Sequence, residues 1–462
     1  MLENLIEQYV QKVGFKCYTE IRAQRNIDKR VTILNGNMMA NSSGTAVGVS
    51  ARIYKNGAYG FASSPIYTSE SIKEVVGAAE KNALFLHSKK DLGMPPFTAV
   101  SAFKQDLMYK RDDNITQKQI IDYLTDLDSY IIKKYPKLAS RCVVSPNLVM
   151  EKLLVTSEGV VSHSFVPRSI VYVMLTGTDK DGAPVDIFEP FGNYGLFDDI
   201  FKNPNERYER IDNLYLQLME KCEGVFAEAG VKNCILHPDL AGILAHEAVG
   251  HTVEADFVLS GSVARSLLNK QVASPIVNLV DFAHTALGKT CPIPVYVDDE
   301  GVKAEDVNII ENGILKNYMH NKESALKLNG KPQGNARAYS FSDEPLIRMR
   351  NTAILPGKDK LGDMIASIDD GYYFVKTGNG QADATGEFMF GVDFGYEIKK
   401  GKIGRAIKST TISGIAFEML KTVDMLSNDM SWNCSGMCGK KQPIPVGMGG
   451  PAIKCKVNVG GR

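Results

Sequence analysis

His246-Glu247-Ala248-Val249-Gly250-His251 places two imidazoles and a carboxylate within six residues of a chain that has only seven histidines. Two histidines one helical turn apart, with a glutamate after the first, can hold a metal ion beside a general base. Here the histidines are one residue further apart than in HExxH. On a regular α-helix, positions i and i+5 point about 140° apart, too far to share an ion comfortably. The segment therefore demands either a π-bulge that brings both rings to one face, or a helix that ends and lets His251 reach back from the next turn. Gly250, immediately before His251, eases such a distortion. In both arrangements Glu247 lies beside the metal, placed to accept a proton from water.

The residues around the motif place it on a buried helix. Pro238 follows His237 and suits a first helical turn, with Asp239 at its positive end. Leu240, Ile243, Leu244 and Ala248 share one apolar face. The plain alternative is a buried helix whose histidines are simply hydrogen-bonded. A metal site needs a third ligand, and Glu254, Asp256, His284, His320 and the cysteines all qualify on residue chemistry.

Composition narrows the function classes. At 462 residues the chain is long enough for two or three domains, and 44% apolar with 23% charged residues is ordinary globular usage. Lys+Arg and Asp+Glu balance at 53 each with no long basic run, so neither a nucleic-acid partner nor a membrane surface is indicated. The acidic, amphipathic N-terminus is wrong for a secretory signal, and no apolar run approaches the ~20 residues of a bilayer span. The chain reads as cytoplasmic. Its eight cysteines are too sparse for a disulfide scaffold and read mostly as buried thiols.

Periodicity predicts an α+β fold with mixed and antiparallel sheets and packed helices. An N-terminal α/β region, 1–225 (subregions 1–110 and 111–225), precedes a β-rich C-terminal catalytic domain, 226–462. Helical spacing covers 2–13, 70–86 and roughly 205–223, and Thr116-Gln117-Lys118-Gln119 is a capping box opening a helix to about 134. Alternation around Asn56-Gly57 predicts a hairpin, and strands follow at 150–156, 160–164 and 169–176. After Gly224 and Gly230, strand signals cover 231–236, 293–297, the Asn312-Gly313 hairpin, 348–354, 371–376, 385–399 and 405–411. Gly378-Asn379-Gly380 reads as a turn, since no Lys-Ser/Thr follows to make a phosphate loop. A helix at about 414–426 precedes a Gly/Pro/Cys-rich tail.

The run His246 to Phe257 closely resembles the TldD branch of the TldD/PmbA metallopeptidases, also called modulators of DNA gyrase. Val297-Asp298-Asp299-Glu300-Gly301, Arg348 to Thr352 with Pro356-Gly357, Asp383 to Glu387, Gly436 to Lys440 and Pro445 to Gly447 follow in order. Gly57 to Ala62 matches in the first half. The resemblance implies a zinc site of His246, His251 and Cys438 with Glu247 as catalytic base. Cys438 sits between glycines, and thiolate is a good zinc donor; Cys434 and Cys455 then read as structural, with a Cys434–Cys438 disulfide as the competing reading. Thr252 and Ala255 stand where the family commonly has glycine, which bears on loop shape more than on metal binding.

The implied activity is zinc-dependent hydrolysis of peptide bonds in unfolded or small peptides bound extended. The implied assembly is a homodimer, or a heterodimer with a PmbA/TldE-like subunit. Two other readings share these residues: a non-catalytic interaction protein of the gyrase-modulator type, and a zinc amidase or esterase acting on non-peptide substrates.

Overall fold

The computed structural model describes residues 2–55, 57–89, 97, 100–109 and 113–461. Its first half is built on a seven-stranded sheet of β1 (Tyr18–Leu34), β2 (Asn37–Lys55), β3 (Ala58–Ser64), β4 (Phe103–Leu107), β5 (Ser140–Thr156), β6 (Val160–Thr178) and β7 (Pro184–Tyr194). The order is β3-β2-β1-β5-β6-β4, with β7 on the remaining length of β6. All pairings are antiparallel except β4 with β6.

β1 is the element that periodicity did not find, and its two faces explain why. Ile21 and Ala23 point into an apolar core with Val49, Ala51 and Ile53 of β2 and with Ile72, Val75, Ala79 and Ala83 of the helix Ser69–Lys89. Glu20, Arg22, Gln24 and Asn26 point the other way and are also buried. Such a strand reads as half-exposed in sequence, yet its polar face is covered by the second half of the chain. Arg22 donates to the carbonyls of Ser340 (3.0 Å) and Asp343 (2.6 Å), and Gln24 and Asn26 both donate to the Tyr339 carbonyl. Lys152 of β5 pairs with Asp299 at 2.6 Å, and Arg52 of β2 bridges Glu20 and Glu300.

The predicted helices are present at Leu5–Val13, Ser69–Lys89, Gln117–Lys134 and Tyr208–Cys222, and Thr116 and Gln119 form the reciprocal cap. Lys55 pairs with Ala58 across the predicted hairpin; Asn56 lies outside the described residues, as does the 110/111 division. No helix among the described residues is long and apolar enough to cross a membrane.

The second half is a closed barrel flanked by a six-stranded sheet. Strands Asp370–Ala382, Gly230–Leu236, Ile453–Val459, Thr410–Ile415 and Glu387–Lys399 pair in that order, and the last returns to the first. The tail thus supplies an interior barrel strand, because Ile453, Cys455, Val457 and Val459 alternate inward behind the glycines and prolines that precede them. The flanking sheet runs through Leu279–Phe282, Asn351–Ile354 and Gly447–Gly450, the last two parallel.

Other segments depart from the expected pattern. Residues 293–297 form no strand beyond a single bridge from Val297 to Lys303, since Pro292 and Pro294 remove ladder donors. The 378–380 segment is an irregularity inside a continuing strand. The last helix is confined to Ala416–Lys421 because the barrel claims 410–415.

Breaking a buried ion pair strands the partner's charge. Arg52→Leu leaves Glu20 and Glu300 uncompensated between the two halves and is expected to destabilise the chain by about 3–5 kcal/mol. A lower urea midpoint than wild type checks this.

Candidate metal centre

The motif helix starts where barrel strand Gly230–Leu236 ends. His237 caps it, Nδ1 accepting the Asp239 N–H at 3.3 Å, and Pro238–Ile243 is α-helical. Leu240, Ala241, Leu244, Ala245 and Ala248 join the barrel core. At Gly242 a Cβ would lie 2.7 Å from the Met448 carbonyl carbon, so glycine lets the helix press against strand Gly447–Gly450.

From Leu244 to Gly250 the helix widens into a π-turn, and His251–Val253 closes it as a 3₁₀ turn. The His251 N–H donates to the His246 carbonyl, the five-residue bond that defines a π-turn. It joins the two histidines themselves and sets their ring centroids 5.2 Å apart. Gly250 has ordinary helical angles, φ −54° and ψ −48°. Its role is therefore not the conformational ease expected of it: a Cβ there would lie 2.0 Å from the Met349 Sδ, and glycine makes room for that buried side chain.

His246 is fully buried, and neither ring nitrogen has a hydrogen-bond partner among the described residues. Two orphaned imidazole nitrogens are costly unless something binds them. His251 Nδ1 lies 2.6 Å from Glu254 Oε2, which turns its Nε2 toward Cys438 Sγ at 3.4 Å. Ligand atoms of His246, His251 and Cys438 all lie within 4.8 Å of one another, close enough to converge on one ion. Glu247 faces the same point: Oε2 is 3.6 Å from His251 Nε2 and Oε1 is 3.9 Å from His246 Nε2, with the side chain partly open to solvent.

The electrostatics suit a cation. Burial alone would raise the Cys438 pKa, but the adjoining His246 and His251 rings outweigh it and hold the thiol at about 3. Burial likewise opposes the charged form of His251, yet Glu254 and Cys438 bring it up to about 10. By contrast desolvation pushes the Cys291 and Cys455 thiols up to about 12.

Cys438 arrives from the far end of the chain on a two-residue strand, Met437–Cys438, paired with Ile444–Pro445. Buried arginines hold this loop by its carbonyls. Arg348 donates to Cys438 (2.7 Å), Lys440 (3.0 Å) and Gln442 (2.9 Å), and Arg337 to Pro445 (2.9 Å). Arg168 reaches over from β6 to the carbonyls of Cys434 and Gly436.

The other candidates lie elsewhere or act differently. Glu254 backs His251, and Asp256 pairs with Lys440 at 2.7 Å. His284 stacks on Tyr296, and His320 is buried against Ser324. All eight cysteines are free, so Cys434 and Cys438 form no disulfide. Sequence reading gave Arg168, Arg348 and Lys440 no role. The two arginines flanking Met349 in a β-run were a signal, since charges in a strand between apolar residues ask for buried acceptors.

Comparison with known proteins gives a consistent setting. The PmbA/TldA metallopeptidase C-terminal domain matches residues 229–461, and domain 1 of the same family matches 19–83. A zinc metalloprotease TldD homolog of Saccharolobus solfataricus is 30% identical over 451 residues, 96% of each chain. A metalloprotease TldD homolog of Buchnera aphidicola subsp. Schizaphis graminum is 42% identical over 240 residues, 51% of this chain and 49% of that one. The crystal structure of TldE from Thermococcus kodakarensis covers 99% of both chains with a TM-score of 0.77 at 16% identity, a likeness of fold.

A thiol with a depressed pKa is deprotonated above that value. In metal-free protein Cys438 is therefore expected to be a thiolate from just above pH 3 upward, while Cys291 and Cys455 stay protonated through neutral pH. Ultraviolet thiolate absorbance at mildly acidic pH, lost in Cys438→Ala, checks this.

Proposed function

Since this chain belongs to the PmbA/TldD metallopeptidase family, we propose that it is a zinc-dependent HExxxH peptidase cleaving peptide bonds in unfolded or small peptides. The observation that carries the reading is the convergence of His246, His251 and Cys438 with Glu247 on one point. Two imidazole nitrogens and a thiolate suit zinc, and three protein ligands are the number used where one position stays open for chemistry. Zinc, when bound, would polarise a substrate carbonyl and make water acidic enough to react near neutral pH.

The rest is done by side chains of this chain. Glu247 takes the proton of the attacking water through the carboxylate that faces both rings, and returns it to the leaving amine. Its partial exposure admits water and substrate from one side, while fully buried His246 closes the other. The π-turn keeps both rings aimed at one point, and the arginine-held loop presents the Cys438 sulfur opposite them.

The proposal includes a peptide bound in extended form and a second subunit, either another copy of this chain or a PmbA/TldE-like one. The β-rich surroundings of the site support the first. The family, whose fold TldE from T. kodakarensis shares, supports the second.

Glu247→Gln is expected to keep zinc and lower kcat/KM on an unfolded peptide by about 10²–10⁴-fold, the usual contribution of a general base. Metal analysis alongside the assay checks both parts, and wild-type activity in this variant removes Glu247 as the base. Cys438→Ala is expected to lose zinc and activity together.

A further inference from the structure

Resting on the zinc reading above, we infer that Glu254 and Lys440 form a positioning pair for the metal site. Glu254 fixes the His251 ring with Nε2 toward the ion, and Lys440 fixes Glu254 while tying the motif helix to the Cys438 loop.

The contacts are specific. Glu254 is fully buried, and its Oε2 meets both His251 Nδ1, at 2.6 Å, and Lys440 Nζ, at 3.2 Å. The same ammonium reaches Asp256 Oδ2 at 2.7 Å and the Ile347 carbonyl at 3.0 Å, and lies 4.7 Å over the Phe257 ring. Its three donors are thus used, in a pocket where a lone Glu254 carboxylate would carry a heavy desolvation cost. A carboxylate on the distal nitrogen of a ligating imidazole fixes its tautomer and orientation and strengthens it as a donor.

The two histidines differ in this respect. His246 has no such partner and is held by complete enclosure. His251 is partly open and lies on the 3₁₀ turn where the helix ends, so its ring needs a tether. Lys440 is two residues beyond Cys438, and its own carbonyl is one of the three that Arg348 holds. The pair therefore couples the two sides of the site, one from the helix and one from the tail.

The test uses the whole 462-residue chain with Glu254→Ala, Glu254→Gln, Lys440→Met and the Glu254→Gln/Lys440→Met double variant. Zn²⁺ affinity is read by competition with a chromophoric chelator, and the visible spectrum after loading with Co²⁺ reports donor geometry. Glu254→Ala is expected to bind Zn²⁺ about 10–100-fold more weakly, with an altered Co²⁺ spectrum. Glu254→Gln keeps an acceptor of the same shape, so it folds and recovers part of the loss. Lys440→Met weakens binding in the wild-type background but adds little to Glu254→Gln, because an amide needs no counter-ion.

Wild-type Zn²⁺ affinity in Glu254→Ala, or a Glu254→Gln no better than Glu254→Ala, overturns the pair and leaves the zinc reading standing. Wild-type protein that binds no Zn²⁺ overturns the zinc reading and the pair with it.

Discussion

Arg348 is fully buried, and among the described residues no carboxylate lies within ion-pair distance of it. Its guanidinium donates instead to the carbonyl oxygens of Cys438, Lys440 and Gln442. That constraint matters because the loop has little structure of its own: two strand residues pair with two, and glycines stand at 436 and 439. A thiol on such a segment would sample many positions, whereas ligation needs it within a few tenths of an ångström. Charge-assisted bonds to three alternate carbonyls remove that freedom, each contributing about 1.5–3 kcal/mol.

The same device extends across the molecule. Arg168 carries it to the N-terminal sheet, so one rim of the loop depends on a strand outside the barrel. The polar inner face of β1 and β5 repeats the pattern with Arg22, Gln24, Asn26 and Lys152 on the carbonyls of residues 338–343. The first half of the chain thus joins the second through buried polar contacts on this face, and through an apolar core that takes in Phe394 and Ala406 of the second half. The core under the helix Ser69–Lys89 is built from the first half alone.

This division explains what could be read from the sequence. The α+β class, the capped helix at 117, the Asn312-Gly313 hairpin and the strand from 230 carry local signals of periodicity and turn chemistry, and those signals match the fold. β1 carries the wrong local signal, since burial of Glu20, Arg22, Gln24 and Asn26 depends on residues three hundred positions away. The last barrel strand was hidden behind Gly447–Gly450 and Pro451; Gly447 and Gly449 make room for Asn351 and Trp432, and Gly450 for Ala241 of the motif helix. At the site, the five-residue spacing announced a distortion, and the π-turn is its physical form. The purpose of Gly250 was illegible because Met349, the residue it accommodates, is distant in sequence.

Two imidazoles, a thiolate and a facing carboxylate make a site whose meaning depends on what the three donors hold. X-ray absorption at the zinc edge of the purified 462-residue chain is the sharpest test. Two nitrogen donors at about 2.0–2.1 Å and one sulfur at about 2.3 Å are expected, with the sulfur lost in Cys438→Ala. A zinc shell without sulfur, or one with more than one sulfur, would contradict this donor set.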